Sequence, residues 1–149
     1  MPIYQPEIYR RADARRNPDA LFVFGDNALR KGFGGQADEM RGEPNAVGVR
    51  TKYLPSMNPD AFFREDPACI LAQNRMIDED MKRLFMHLRK GGLVVWPAAG
   101  IGTGYSALPT CAPTTYEYLM KKFAAMWQTA KLFEKGDNAR LLQMREQHE

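Results

Sequence analysis

Residues 23–37 read VFGDNALRKGFGGQA, and residues 97–109 read PAAGIGTGYSALP. Each stretch leaves a short apolar run and is rich in glycine. Glycine lets the main chain approach an anion closely and take positive φ. Successive N–H groups in such turns form a concave anion site. Glycines also make ordinary turns. Ligands of α/β sheets nevertheless collect at the carboxyl ends of strands, and two such loops from separate strands can grip one diphosphate from both sides. The candidate ligand-binding residues are Gly25, Asn27, Gly32, Gly34, Gly35 and Gln36 in the first stretch. In the second they are Gly100, Ile101, Gly102, Thr103, Gly104 and Tyr105. A helix starting behind the second loop adds a favourable dipole.

Asp26 is the candidate catalytic residue, a general base carried by a strand end beside Asn27. Its other reading is to brace the loop by accepting backbone N–H bonds. Residues 32–37, GFGGQA, match G-x-G-x-x-A, but Gly32 lies well past the end of the preceding apolar run, at Phe24. The next candidate strand ends at Thr51 and Lys52 rather than in the acid that the dinucleotide fingerprint requires. No Gly-Lys-Ser/Thr of a P-loop occurs. Ser56 and Ser106 lack a nucleophile-elbow frame. Cys111 reads as a small apolar residue before a helix, and His87 as a partly exposed helix residue. His87 and His148 have no neighbour at ligand spacing, so no metal is expected.

Those loops need a frame. A chain of 149 residues can bury a sizeable core as one domain. Its 44% hydrophobic and 26% charged residues are those of a globular protein. A net charge of +3, from 21 basic and 18 acidic residues, is too even to argue for nucleic acid. No apolar run reaches the ~18 residues of a membrane helix, and no signal-peptide core precedes residue 11. Two cysteines, Cys69 and Cys111, suggest free thiols and a cytoplasmic setting.

Residues 20–24, 46–51 and 92–96 are candidate strands, with residues 4–9 a possible fourth. Ile70, Ile77, Met81, Leu84, Phe85 and Leu88 mark one face of a helix that Gly91 and Gly92 stop. Pro113 opens a second helix over 113–127, with Tyr116, Leu119, Met120, Phe123 and Trp127 inward. A third fits 138–147. Residues 53–66 form a surface loop, with Phe62 and Phe63 as core plugs or stacking rings. Alternating strands and helices predict an α/β domain.

Several segments together resemble a macrodomain, the ADP-ribose-binding α/β module. The family's first turn, Gly-Asp-Ile-Thr, is matched by Ala12-Asp13-Ala14-Arg15, and its Asp-Ala-Ile-Val-Asn run by Asp19-Ala20-Leu21-Phe22-Val23 with Asn27 beyond. Gly32-Phe33-Gly34-Gly35 stands for its glycine loop. Pro97-Ala98-Ala99-Gly100-Ile101-Gly102-Thr103-Gly104-Tyr105 resembles its Pro-Ala-Ile-Ser-Thr-Gly-Ile-Tyr loop. The resemblance spans residues 7–127 and is similar to the small macro-like domains of bacteriophage proteins. It implies a single-domain, three-layer fold with a mixed, mostly parallel central sheet flanked by helices. It implies that Asp13 accepts from the adenine amino group, that Asn27 faces the distal ribose, and that Gly34, Gly35 and the 100–104 turn wrap the diphosphate and ribose. Tyr105 would pack on the distal ribose or close the cleft. Gly25 and Asp26 depart from the family pattern. Gln36 replaces an apolar residue, and the acid that follows in hydrolytic members is absent.

The expected organisation is a macro-like domain over 1–128 and a helical extension over 129–149. The expected function is binding of ADP-ribose or a related nucleotide diphosphate between the two loops, with hydrolysis of an ADP-ribosyl linkage through Asp26 left open. The alternative is a non-enzymatic protein-interaction module whose glycine loops only hold the fold. The expected partner is an ADP-ribose-like small molecule or an ADP-ribosylated target, with no membrane, no nucleic acid and no cofactor.

Overall fold

The computed structural model describes residues 3–134. Four strands form one sheet in the order β1-β4-β2-β3, and every pairing is parallel. They are β1 (Ile3–Tyr4), β2 (Leu21–Asn27), β3 (Ala46–Lys52) and β4 (Val94–Val95). The helices are α1 (Arg11–Arg16), α2 (Ala37–Met40), α3 (Pro67–Arg89), α4 (Leu108–Cys111) and α5 (Pro113–Phe133). The sheet is therefore all-parallel where a mixed one was expected.

The side-chain period of two explains why β2 reads as a continuous apolar run. Leu21 and Val23 join one core with Val47, Val49 and the inner faces of α3 and α5. Phe22 and Phe24 join the other, with Ala14 of α1 and Ala37 and Met40 of α2. The candidate strand over 20–24 proves longer: β2 continues through Gly25, Asp26 and Asn27 because β3 pairs alongside as far as Asn27↔Lys52. The possible strand over 4–9 is only Ile3–Tyr4. Beyond it, Tyr9 turns its hydroxyl inward and donates to the carbonyls of Val23 (2.7 Å) and Val95 (3.0 Å), where β2 and β4 part. Burial raises the pKa of this phenol well above its ordinary value.

α3 starts at Pro67, three residues before the apolar stripe, because Asp66 caps it by accepting from Cys69 N–H at 3.1 Å. Ile77, Met81, Leu84 and Leu88 are buried as the spacing predicts. Gly91 takes φ +77° just after the helix, and Gly92 N–H returns to the His87 carbonyl. His87 itself folds over Gly92 and meets the Leu93 carbonyl at 3.1 Å. α5 runs unbroken across residue 128, where a domain boundary was expected, and Ala130 beyond it is buried in the core. The helix expected over 138–147 lies outside the described residues.

Residues 53–66 run over the surface, as expected, but are tied down. A 3₁₀ turn at Pro59–Ala61 returns the chain so that Phe62 bridges Lys52, and Phe63 is a core residue set edge-on against Tyr53. Fully buried Gln73 fastens the segment to the helices. Its oxygen accepts from Tyr53 Oη–H (2.8 Å) and Arg64 N–H (2.7 Å), and its nitrogen donates to the Arg64 carbonyl and to Thr115 Oγ1. Leu119 of α5 is fully buried in the core that α5 shares with α3. Leu119→Ala is expected to lower the unfolding free energy by about 2–5 kcal/mol, read as a shifted urea midpoint at unchanged slope.

Candidate functional site

The carboxyl ends of β2 and β3 open into a cleft of about 270 Å³. β2 supplies Gly25, Asp26 and Asn27, and β3 supplies Lys52. The first glycine loop supplies Lys31, Gly32, Phe33 and Gly34, with Ala37 and Arg41 behind them. Pro55 and Met57 line it from the 53–66 segment, and Tyr105 and Ser106 from the second glycine stretch.

Asp26 is the anchor of this arrangement. Its side chain is 2% exposed. Oδ1 accepts from Asn27 N–H (2.8 Å) and from Arg41 Nη2 (2.5 Å). Oδ2 accepts from Arg30 Nη1 (3.1 Å) and Arg41 Nη1 (3.3 Å). Arg30 continues to Asp80 on α3 (2.6 Å), and Asp80 also receives Arg50 Nε (2.9 Å) and Arg50 N–H (2.7 Å). A carboxylate offers about four acceptor positions, and those of Asp26 are all engaged. No lone pair is left to take a proton from water, so the geometry favours the bracing role over the general base. Arg30 holds φ +56°, a region unusual outside glycine. From there one guanidinium spans Asp26, the Gly48 carbonyl and Asp80.

Arg41 also fixes the first loop. Its Nε donates to the Gly32 carbonyl at 2.6 Å, and its guanidinium lies 5.5 Å from the Phe24 ring centre. Asn27 accepts from Leu29 N–H and donates to the Lys31 carbonyl, so its amide serves the turn that presents Lys31. Among the described residues, the N–H groups of 32–36 and of 101–106 have no protein partner.

The two loops touch. Gln36 clasps them: its oxygen accepts from Gly25 N–H (3.0 Å), and its nitrogen donates to the Gly100 carbonyl (2.8 Å). The Tyr105 ring lies over Gly35. Of the residues expected to bind ligand, Gly25, Asn27, Gly32, Gly34 and Tyr105 line the cleft, together with Asp26. Gly35, Gln36, Gly100, Ile101, Gly102, Thr103 and Gly104 do not line it. Ile101 is in the core, Gly102 packs against Leu108, and Thr103 donates back to the Ala99 carbonyl. Asp13 is 2% exposed inside α1 and is likewise outside the cleft. The second loop thus contributes its tail, Tyr105 and Ser106, instead of a bare glycine wall.

Lys31, Arg41 and Lys52 are the site's unforeseen cations. Lys52 is 7% exposed. Its ammonium lies 4.7 Å from the Phe62 ring centre and 3.5 Å from Met57 Sδ, with no carboxylate partner among the described residues. Desolvation lowers its pKa from the ordinary lysine value. Ser106 Oγ shares a 2.7 Å hydrogen bond with Thr51 Oγ1 below it. Among the described residues no group of three or more His, Cys, Asp or Glu is placed to hold a metal ion, and no helix is long and apolar enough to cross a membrane.

A family model described as a family of unknown function, DUF7831, matches residues 4–122. The chain belongs to that family. The DUF7831 segment takes in β2, β3, β4 and every cleft residue, and it ends inside α5. No curated protein and no solved structure matches the chain.

A Cβ on Gly48 would lie 2.6 Å from Asp26 Oδ2 and 3.0 Å from Asp26 Cβ, both held by the arginines. Gly48→Ala is expected to destabilise by about 1–3 kcal/mol in urea titration. Lys52 acts in the opposite direction. Its folded pKa is depressed, so the unfolded chain binds its proton more tightly. The resulting cost to stability is present at neutral pH and fades as pH rises from the folded value through the unfolded one, about 10.4. Lys52→Met is expected to raise the urea midpoint at pH 7, with the gain shrinking above that window.

Proposed function

We propose that the chain binds ADP-ribose or a related nucleotide diphosphate in this cleft. Lys52 carries the reading: a desolvated ammonium without a carboxylate partner among the described residues, set in the wall of an open cleft. Burying such a charge unpaired costs stability, and an anionic ligand would relieve that cost. Asp26, the one acid among the lining residues, is already matched by Arg30 and Arg41, so Lys31 and Lys52 leave the cleft electropositive. The N–H groups at Gly32, Phe33 and Gly34 add donors suited to phosphate oxygens. The position at strand carboxyl ends and the macrodomain resemblance of the loops support the same ligand class.

The reading is of binding, with Asp26 holding the loop in shape. Hydrolysis of an ADP-ribosyl linkage would need a base with a free lone pair, and Asp26 has none to offer. In calorimetric titration, ADP-ribose is expected to bind saturably and more weakly at raised salt. Lys52→Met is expected to weaken it about ten- to a hundredfold, the range of a lost charge-assisted hydrogen bond. Absence of heat with folded protein at millimolar ADP-ribose would reject this function and leave the interaction-module alternative.

A further inference from the structure

The cleft is slightly smaller than the ~300–1,000 Å³ of pockets that enclose a whole organic ligand. A nucleotide diphosphate seated on Lys52 must therefore extend over the rim. Three large apolar side chains stand there: Phe33 is 64% exposed, Met57 64% and Tyr105 66%. Phe22, Phe24 and Phe63 are by contrast buried. The backbone holds the two rings out. Gly32 at φ +90° and Gly35 at φ +58° turn the chain on either side of Phe33, and the Arg41 bond to the Gly32 carbonyl anchors that turn. The ring of Tyr105 is supported from beneath by Gly35.

We infer that Phe33 and Tyr105 form a stacking platform for the aromatic base of the ligand whose phosphates lie on Lys52 and the Gly32–Gly34 main chain, an inference that rests on the phosphate reading of the same cleft. Exposed aromatic faces beside cations are the surface that a base with an attached phosphate matches, since rings stack on it while the phosphate meets the charge. The base is thereby placed at the rim, far in role from Asp13, whose carboxylate is enclosed by α1 and its surroundings. A lipid headgroup layer also pairs aromatic side chains with lysines, but it is flat. Lys52, 7% exposed within the cleft, is reached by a ligand that enters, not by a surface that lies across.

The test compares ADP with inorganic pyrophosphate, which has the same linkage and no base, by calorimetry on the full chain. The parent is expected to bind ADP at least about tenfold more tightly than pyrophosphate. Phe33→Ala and Tyr105→Ala are each expected to lower the ADP-to-pyrophosphate affinity ratio about tenfold, while Phe33→Trp and Tyr105→Phe retain it. Lys52→Met is expected to weaken both ligands. Equal affinity for ADP and pyrophosphate in the parent, or alanine variants with an unchanged ratio, would overturn the platform and leave the phosphate site standing. Failure of both ligands to bind would overturn platform and phosphate site together. Phe33-dependent sedimentation with phosphatidylserine vesicles, without an ADP preference, would make the rim a lipid surface and overturn the assignment.

Discussion

A buried carboxylate is expensive unless it is paired and fully hydrogen-bonded. Asp26 imposes that condition at the end of β2. Its partners come from three places in sequence: Asn27 beside it, Arg30 in the next turn, and Arg41 after α2. Arg30 then reaches Asp80 on α3, and Asp80 holds Arg50 on β3. Removing one partner would strand a charge away from water, so the sheet end, the glycine loop and the long helix must settle together. The shape of the cleft follows from that requirement. Arg41, drawn in by Asp26, is the same side chain that grips the Gly32 carbonyl and sets the path of residues 32–34.

Much of the frame is legible in residue order, and the reason differs from element to element. β2 is readable because both its faces are buried, leaving an unbroken apolar run. α3 and α5 are readable because each has one buried stripe, and their starts are marked by Pro67 and Pro113. The site is only half legible. Glycine advertises a loop wherever it stands, so Gly25, Gly32 and Gly34 could be found. Gly100 and Gly102 have the same look, yet Gly102 packs against Leu108 and Gly100 serves the Gln36 clasp. The residues that charge the cleft carry no local mark. Lys52 first attracts notice only as the place where a ribose-binding acid is missing. Its role depends on Phe62 and Met57, which a 3₁₀ turn brings back across β3. Arg41 depends likewise on an aspartate fifteen residues earlier in the chain. Asp13 shows the converse: an acid at a suggestive spacing that folding encloses in α1, away from the cleft.

The cleft and the core make opposite demands on the same strands. On its inner faces β3 places Val47 and Val49, which add to the apolar interior. At its end it places Lys52, an ammonium set against the Phe62 ring and the Met57 thioether, where desolvation lowers its pKa. Such a residue is poorly explained by stability, and the proposed anionic ligand would account for it. The contrast with Arg50, two residues earlier, is instructive. Arg50 is paired with Asp80 and Glu79, which raise its pKa, and so it belongs to the scaffold.

Gln36 sets a dimension as well as a contact. Its carboxamide joins a main-chain donor near the end of β2 to a main-chain acceptor on the second glycine loop, so the spacing between them is gauged by the reach of a single side chain. Asparagine, one methylene shorter, would reach Gly25 or Gly100 but not span the two. The aperture is thus written in covalent bond lengths.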